Sequence, residues 1–222
     1  MKCFELIIFD CDGVLVDSER IANEIFATVI QEECGLFFSL EEMFDTFVGC
    51  SATQCMEIIE ARLGRKPPPR LLERYGSDIN RGLSLSVVPV NGIEHVLESV
   101  SIPFCVASSG SHEKMRTTLG KTGLLKYFDG RLFSTSDVAR GKPFPDVYLH
   151  AAKTMGISDP SRCLVIEDSP LGVQGGVAAG MTVFGYAELM DTGKLVSAGA
   201  HRTFDRMERL RAEIDAYVQT AF

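Results

Sequence analysis

The apolar residues of this chain gather in a few runs too short to be helices, and helical patterns stand between them. Phe4 to Phe9, Phe104 to Ala107, Cys163 to Ile166 and Thr182 to Tyr186 are such runs, with a weaker one at Arg131 to Ser134, and polar or glycine-containing turns bound each of them. Gly92 to Val100 carries Ile93, Val96, Leu97 and Val100 on one helical face, and Asp146 to Met155 carries Val147, Leu149, Ala151 and Ala152. Strand and helix therefore alternate through the second half. Such alternation predicts an α/β fold, a parallel sheet with helices on both faces.

One segment breaks this rhythm directly after the first strand. From Ser18 to Ser86 apolar residues recur at helical spacing only: Ile21, Ile25, Val29 and Ile30, then Met56, Ile58, Ile59 and Leu63, then Leu71, Leu72, Tyr75 and Ile79. Pro67-Pro68-Pro69 marks a turn before the last set. The expected organisation is a core formed by residues 1–15 and 88–222, interrupted by an all-helical insert over residues 16–87. Hinges are expected at Val14 to Asp17 and at Leu85 to Asn91. A length of 222 residues suffices for one domain carrying such an insert.

Charge and cysteine usage narrow the partners. Thirty acidic against 22 basic residues give a formal net charge of −8, which repels nucleic acid and anionic lipid surfaces. No run approaches 18 uninterrupted apolar residues, and Glu5 and Asp10 close the most apolar stretch near the start, so neither a spanning helix nor a signal segment is expected. The seven cysteines, Cys3, Cys11, Cys34, Cys50, Cys55, Cys105 and Cys163, form no CxxC pair, and an odd count without a secretory signal argues against a disulfide framework. The expectation is a reduced, cytoplasmic protein with no nucleic-acid or membrane partner, a monomer or weak dimer acting on a small molecule.

The chemistry concentrates at the ends of the apolar runs. Asp10 and Asp12 follow directly on the first one, placing two carboxylates one residue apart at the carboxyl edge of a parallel sheet, where open α/β folds bind ligands. Two such carboxylates either share a proton or hold a hard cation through oxygen, and Mg²⁺ is commonly held by one or two carboxylates completed by water and phosphate.

The string Asp10-Cys11-Asp12-Gly13-Val14-Leu15-Val16-Asp17-Ser18 resembles the first motif of the haloacid dehalogenase superfamily, most of whose members are phosphatases and phosphomutases. The resemblance implies a Rossmann-like parallel sheet core with an inserted helical cap domain, Asp10 as a nucleophile toward phosphorus and Asp12 as general acid and base. Phe104-Cys105-Val106-Ala107-Ser108-Ser109 matches the second motif, implying that the Ser108 hydroxyl and the Ser109 N–H hold phosphoryl oxygens. Gly141-Lys142-Pro143-Phe144-Pro145-Asp146 resembles the third, in which Lys142 neutralises charge on the nucleophile and the transferring group. A phosphate monoester facing Asp10 demands such a cation on electrostatic grounds. Cys163-Leu164-Val165-Ile166-Glu167-Asp168-Ser169 resembles the fourth, making Asp168 a Mg²⁺ ligand and Glu167 a ligand or a group behind one. Asp10 and the backbone carbonyl of Asp12 would supply the remaining protein oxygens.

Other features have plainer readings. Gly172, Gly176 and Gly180 fall four apart and are expected in a helix packed closely on the sheet. The histidines His95, His112, His150 and His201 show neither zinc spacing nor a triad arrangement; of them only His112, four residues after Ser108, is placed to reach a substrate, and it reads better as a solvated loop residue. The family resemblance implies that Cys11, at a position usually apolar in such proteins, faces away from the site. Arg202, Arg206, Glu208, Arg209, Arg211 and Glu213 read as helix-spaced pairs on a solvated face.

The resemblance thus implies a Mg²⁺-dependent hydrolase of a small phosphate monoester, a sugar phosphate or related metabolite, acting through an aspartyl-phosphate on Asp10. A hexose-phosphate mutase of the β-phosphoglucomutase type shares the core motifs, and a silent binding or regulatory module would share the fold. The filled acidic and basic positions disfavour the silent module, and Asp12 disfavours dehalogenation, whose enzymes lack the second Asp. Mutases of that type carry a His where Ala22 stands here, and an Arg after a Gly-x-Ser where Gly49-Cys50-Ser51 is followed by Ala52. Arg62 or Arg65 could replace that Arg. The departures favour hydrolysis.

Overall fold

The computed structural model describes residues 4–48, 50 and 52–220, and its chain divides into two compact units. One holds the residues up to Asp17 together with those from Val88 onward; the other is Ser18–Val87. Cys3, Gly49 and Ser51 lie outside the described residues.

The first unit is built on six parallel strands: β1 (Leu6–Phe9), β2 (Phe104–Ser108), β3 (Leu132–Ser134), β4 (Cys163–Glu167), β5 (Thr182–Tyr186) and β6 (Arg202–Phe204). Their order across the sheet is β3-β2-β1-β4-β5-β6. Every residue of β1, β2, β4 and β5 is buried, as continuous apolar strands covered on both faces must be. The helices of this unit are α5 (Ile93–Ser99), α6 (His112–Lys121), α7 (Asp146–Thr154), α8 (Pro170–Ala178), α9 (Thr192–Ser197) and α10 (Leu210–Thr220). The strand sequence reverses direction between β1 and β4, and a doubly wound sheet opens a crevice for ligands at the carboxyl ends of such a pair. Phe9 pairs with Val106 on one side and Ile166 on the other, and the Asp10 N–H donates to the Ile166 carbonyl at 2.9 Å. This register sets Asp10 beside Glu167.

The second unit contains α1 (Ser18–Cys34), α2 (Leu40–Phe47), α3 (Ala52–Leu63) and α4 (Leu71–Ser86). Phe26, Val29, Ile30, Phe38, Met43, Phe47, Ile59 and Leu71 form its own core. At Gly82 a Cβ would come within 2.3 Å of the Ile25 Cδ1, so the absence of a side chain lets α4 approach α1 closely. Glu33 joins the same helices through Arg70 and Arg74, at 2.6 and 2.8 Å. The two segments connecting the units run side by side: Val16 bridges Pro89, and the Asp17 N–H donates to the Val88 carbonyl at 2.9 Å.

Three expectations need correction. Arg202 does not lie on a helix with Arg206 and Glu208; it stands in β6, and α10 begins only at Leu210. A three-residue edge strand with one apolar residue carries too little period to be seen, and Arg202 meets Glu213 at 3.0 Å across the fold rather than along a helix. Gly180 lies beyond α8 at φ +74°, whereas Gly176 does pack on the sheet, where a Cβ would be 2.7 Å from Val183. His112 is not a loop residue but opens α6, its Nε2 lying 2.9 Å from both carboxylate oxygens of Asp137.

Candidate active site

Three strand ends and one loop meet at the carboxyl edge of the sheet. The segment after β1 folds back on itself: the Leu15 and Val16 N–H groups donate to the Cys11 carbonyl at 3.0 and 3.1 Å, and the Gly13 N–H donates to Val16 at 2.9 Å. Gly13 sits at φ +77°, and a Cβ there would be 2.0 Å from Asp168 Oδ2. Glycine is therefore required twice over, by the backbone and by the Asp168 carboxylate resting against it. Cys11 is buried between the two acids, and burial first, then Asp12 and Asp10, push its thiol well above the ordinary range, which leaves it unreactive.

Lys142 holds the centre. Its Nζ donates to Asp10 Oδ1 at 2.6 Å and to Glu167 Oε1 at 2.5 Å, and its side chain is 5% exposed. Burial alone would lower its pKa, but Asp10 and Glu167 outweigh that and hold it protonated well above the usual value. Glu167 is fully enclosed: Tyr148 Oη donates to Oε1 at 2.8 Å, and the Ser169 N–H and hydroxyl donate to Oε2 at 3.1 and 2.9 Å. Ser169 is also the N-cap of α8, accepting the Gly172 N–H at 3.1 Å, with Pro170 at the first helical position. A Cβ on Gly172 would fall 1.9 Å from Glu167 Oε1, so the first turn of α8 closes over this carboxylate only because it lacks one.

The second strand contributes Ser108, whose hydroxyl accepts the Gly110 N–H at 3.0 Å and so keeps its own hydrogen to donate. The loop that follows is pinned from β3, with Ser134 Oγ donating to the Gly110 carbonyl at 2.8 Å and Thr135 Oγ1 to the Ser109 carbonyl at 3.2 Å. Ser109 itself is exposed on that loop. Of the expected site residues, the structure brings Asp10, Asp12, Ser108, Lys142, Glu167 and Asp168 to one edge. Lys114 and Tyr148 join them without a sequence signal of their own; Ser169, which closes the fourth motif and reads as a capping residue next to an acid pair, joins them too.

Asp10, Glu167 and Asp168 each offer an oxygen within 4.8 Å of the others. Burial first, and then Glu167 and Asp12 against the pull of Lys142, push the Asp10 carboxyl up to about 7. Four carboxylates, those of Asp10, Asp12, Glu167 and Asp168, gather around two ammonium groups, Lys142 and Lys114. An all-oxygen donor set with surplus negative charge suits a hard divalent cation such as Mg²⁺ better than a soft, thiolate-seeking one.

Comparison with known proteins identifies the family. The family model for haloacid dehalogenase-like hydrolases matches residues 7–186. The 6-phosphogluconate phosphatase of Escherichia coli is 35% identical over 185 residues, covering 83% of each chain. A phosphorylated carbohydrates phosphatase of Thermotoga maritima is 29% identical over 202 residues, covering 88% of this chain and 92% of that one. Among solved structures, a haloacid dehalogenase family hydrolase from Deinococcus radiodurans with bound phosphate and sodium superposes with a TM-score of 0.86 at 30% identity, over 97% of both chains. The chain therefore belongs to the haloacid dehalogenase-like hydrolases, as one of the family's phosphatases.

Proposed function

We propose that this phosphatase hydrolyses a small sugar phosphate or related metabolite through an aspartyl-phosphate on Asp10, with Mg²⁺ as cofactor. The observation that carries the reading is the buried Asp10 carboxylate held at 2.6 Å by Lys142, at the sheet edge where Ser108 and Asp12 also stand. Asp10 forms a bond to phosphorus as the ester P–O bond breaks, and Asp12 gives a proton to the departing oxygen. Water then attacks the same phosphorus, Asp12 takes its proton, and phosphate leaves with Asp10 restored. Ser108 and the Ser109 N–H hold the phosphoryl oxygens, and Lys142 offsets their charge. Asp10, Asp168 and the Asp12 carbonyl hold the cation, which when bound offsets charge on the nucleophile and the phosphoryl group. Glu167, its lone pairs already taken by Lys142, Tyr148 and Ser169, supports Lys142. The helical unit, 18–87, serves as the cap that selects the leaving group. The free cysteines suit a reducing cytoplasm.

A phosphate-release screen over metabolite phosphates, including 6-phosphogluconate, tests the substrate class. Chelation with EDTA should remove turnover and Mg²⁺ restore it, while Ca²⁺ should support it poorly because it is larger and takes more ligands. Full activity in chelator would overturn the metal assignment.

Hydrolysis is preferred over mutation of a hexose phosphate because Ala22 and Ala52 replace the His and Arg of such mutases. The Arg62 guanidinium lies 4.5 Å over the Phe38 ring within its own unit, which occupies it otherwise. A bisphosphate intermediate would then lack a charge-assisted contact worth about 1.5–3 kcal/mol. Incubated with β-glucose 1-phosphate and a trace of the 1,6-bisphosphate, the protein should release free phosphate. Accumulation of glucose 6-phosphate with little free phosphate would reverse the assignment.

A further inference from the structure

Lys114 belongs to none of the motifs that carry the reaction, yet it ends at the second acid of the site. Ser111 caps α6 and accepts the Lys114 N–H at 3.2 Å, which fixes Lys114 in the helix's first turn. From there its side chain passes over Gly110, where a Cβ would stand 3.3 Å from Lys114 Cδ and 3.3 Å from Ser108 Oγ. The ammonium then donates to Asp12 Oδ2 at 2.7 Å, across 102 residues of sequence. The other oxygen, Asp12 Oδ1, is buried and has no hydrogen-bond partner among the described residues. A solvated helix lysine does neither of these things. A carboxyl group held at one oxygen by a charge-assisted bond has a fixed plane, and its second oxygen is thereby aimed.

We propose that Lys114 is a positioning residue, holding Asp12 by Oδ2 so that Oδ1 is the oxygen that exchanges a proton with the leaving group. When Asp10 bonds to phosphorus and the ester P–O bond breaks, the electron pair goes to the leaving oxygen, which takes the proton from Oδ1. Oδ2 stays the acceptor of Lys114, which keeps its own protons. The inference rests on the phosphatase reading above and adds to it which residue orients the acid.

The test exploits the leaving group. An alkoxide needs a proton to depart, whereas p-nitrophenolate leaves without one, and kcat/KM reports only the steps through that departure. With Mg²⁺ present, Lys114→Met should lower kcat/KM for the alkyl esters 6-phosphogluconate and glucose 6-phosphate by about 100-fold, the scale of general acid catalysis, and for p-nitrophenyl phosphate by about threefold at most. Lys114→Arg should regain most of the alkyl-ester rate by donating to the same oxygen. Because the readout is a ratio between esters within one preparation, partial unfolding of a variant cancels, and Lys114→Gln provides the same ratio if the Met protein does not fold. Equal losses on all three esters would mean that Lys114 touches the phosphoryl group or merely supports the fold, and no loss would mean that it idles at the surface; either overturns the proposal. A wild-type protein inert toward all three esters would instead count against the phosphatase reading, and the assignment of Lys114 would fall with it.

Discussion

Replacing Asp10 with Asn should lower turnover by about 10⁴-fold or more while leaving the protein folded. The change keeps the shape of the side chain and turns the carboxylate proposed to bond to phosphorus into an amide. The fold should tolerate it for two reasons that the geometry supplies. Burial and the neighbouring acids already push the Asp10 carboxyl up to about 7, so a neutral amide relieves a charge that the site holds reluctantly. Lys142 keeps a carboxylate partner, Glu167 at 2.5 Å, and is not left as an isolated buried charge. A melting curve within a few degrees of the wild type, together with undiminished binding of inorganic phosphate, would separate lost chemistry from lost structure. Near wild-type turnover by the purified Asn variant would end the case for a covalent intermediate on this residue.

Most of the sheet was legible because each central strand is an apolar run bounded by polar residues. Asp10, Ser108 and Glu167 close or follow β1, β2 and β4, so the residues that bound the strands also gather at one edge, and order along the chain was enough to group them. β6 escaped notice because Arg202, Thr203 and Phe204 offer no run, and α2 because eight residues hold barely two turns, although Ser39 and Glu42 form a capping box at its start. The supporting residues were hidden for a different reason. In sequence, Lys114 is indistinguishable from Lys121 on the same helix, and only the packing of α6 against the site turns one of them toward Asp12. Tyr148 reads as one more apolar position of α7; its hydroxyl acquires meaning only when the register of β4 brings Glu167 to within 2.8 Å. Long-range polar pairs of this kind carry no period.

Lys142→Met should damage both activity and stability, and a second substitution should separate the two. The ammonium is the shared donor to two enclosed carboxylates, with side-chain exposures of 5% for Lys142, 10% for Asp10 and 0% for Glu167. Its removal leaves two like charges facing each other in a dry site, a change that typically costs about 3–5 kcal/mol. Turnover should fall by about 10³-fold if Lys142 offsets phosphoryl charge as proposed. Lys142→Arg should not restore the wild type, because a planar guanidinium does not fit where a compact ammonium sits 5.2 Å from the Tyr148 ring. In the double variant Lys142→Met with Glu167→Gln, one of the stranded charges is gone; the amide oxygen in the Oε2 place still accepts from Ser169, and the amide NH2 in the Oε1 place donates to the Tyr148 hydroxyl, which can accept. Denaturant unfolding should therefore recover a large part of the lost stability, and turnover should stay at the level of the single variant. If the double variant regained activity along with stability, Lys142 would act through the fold alone. If Lys142→Met unfolded at the wild-type denaturant midpoint, the buried ion triad would not be the strong coupling that its distances imply.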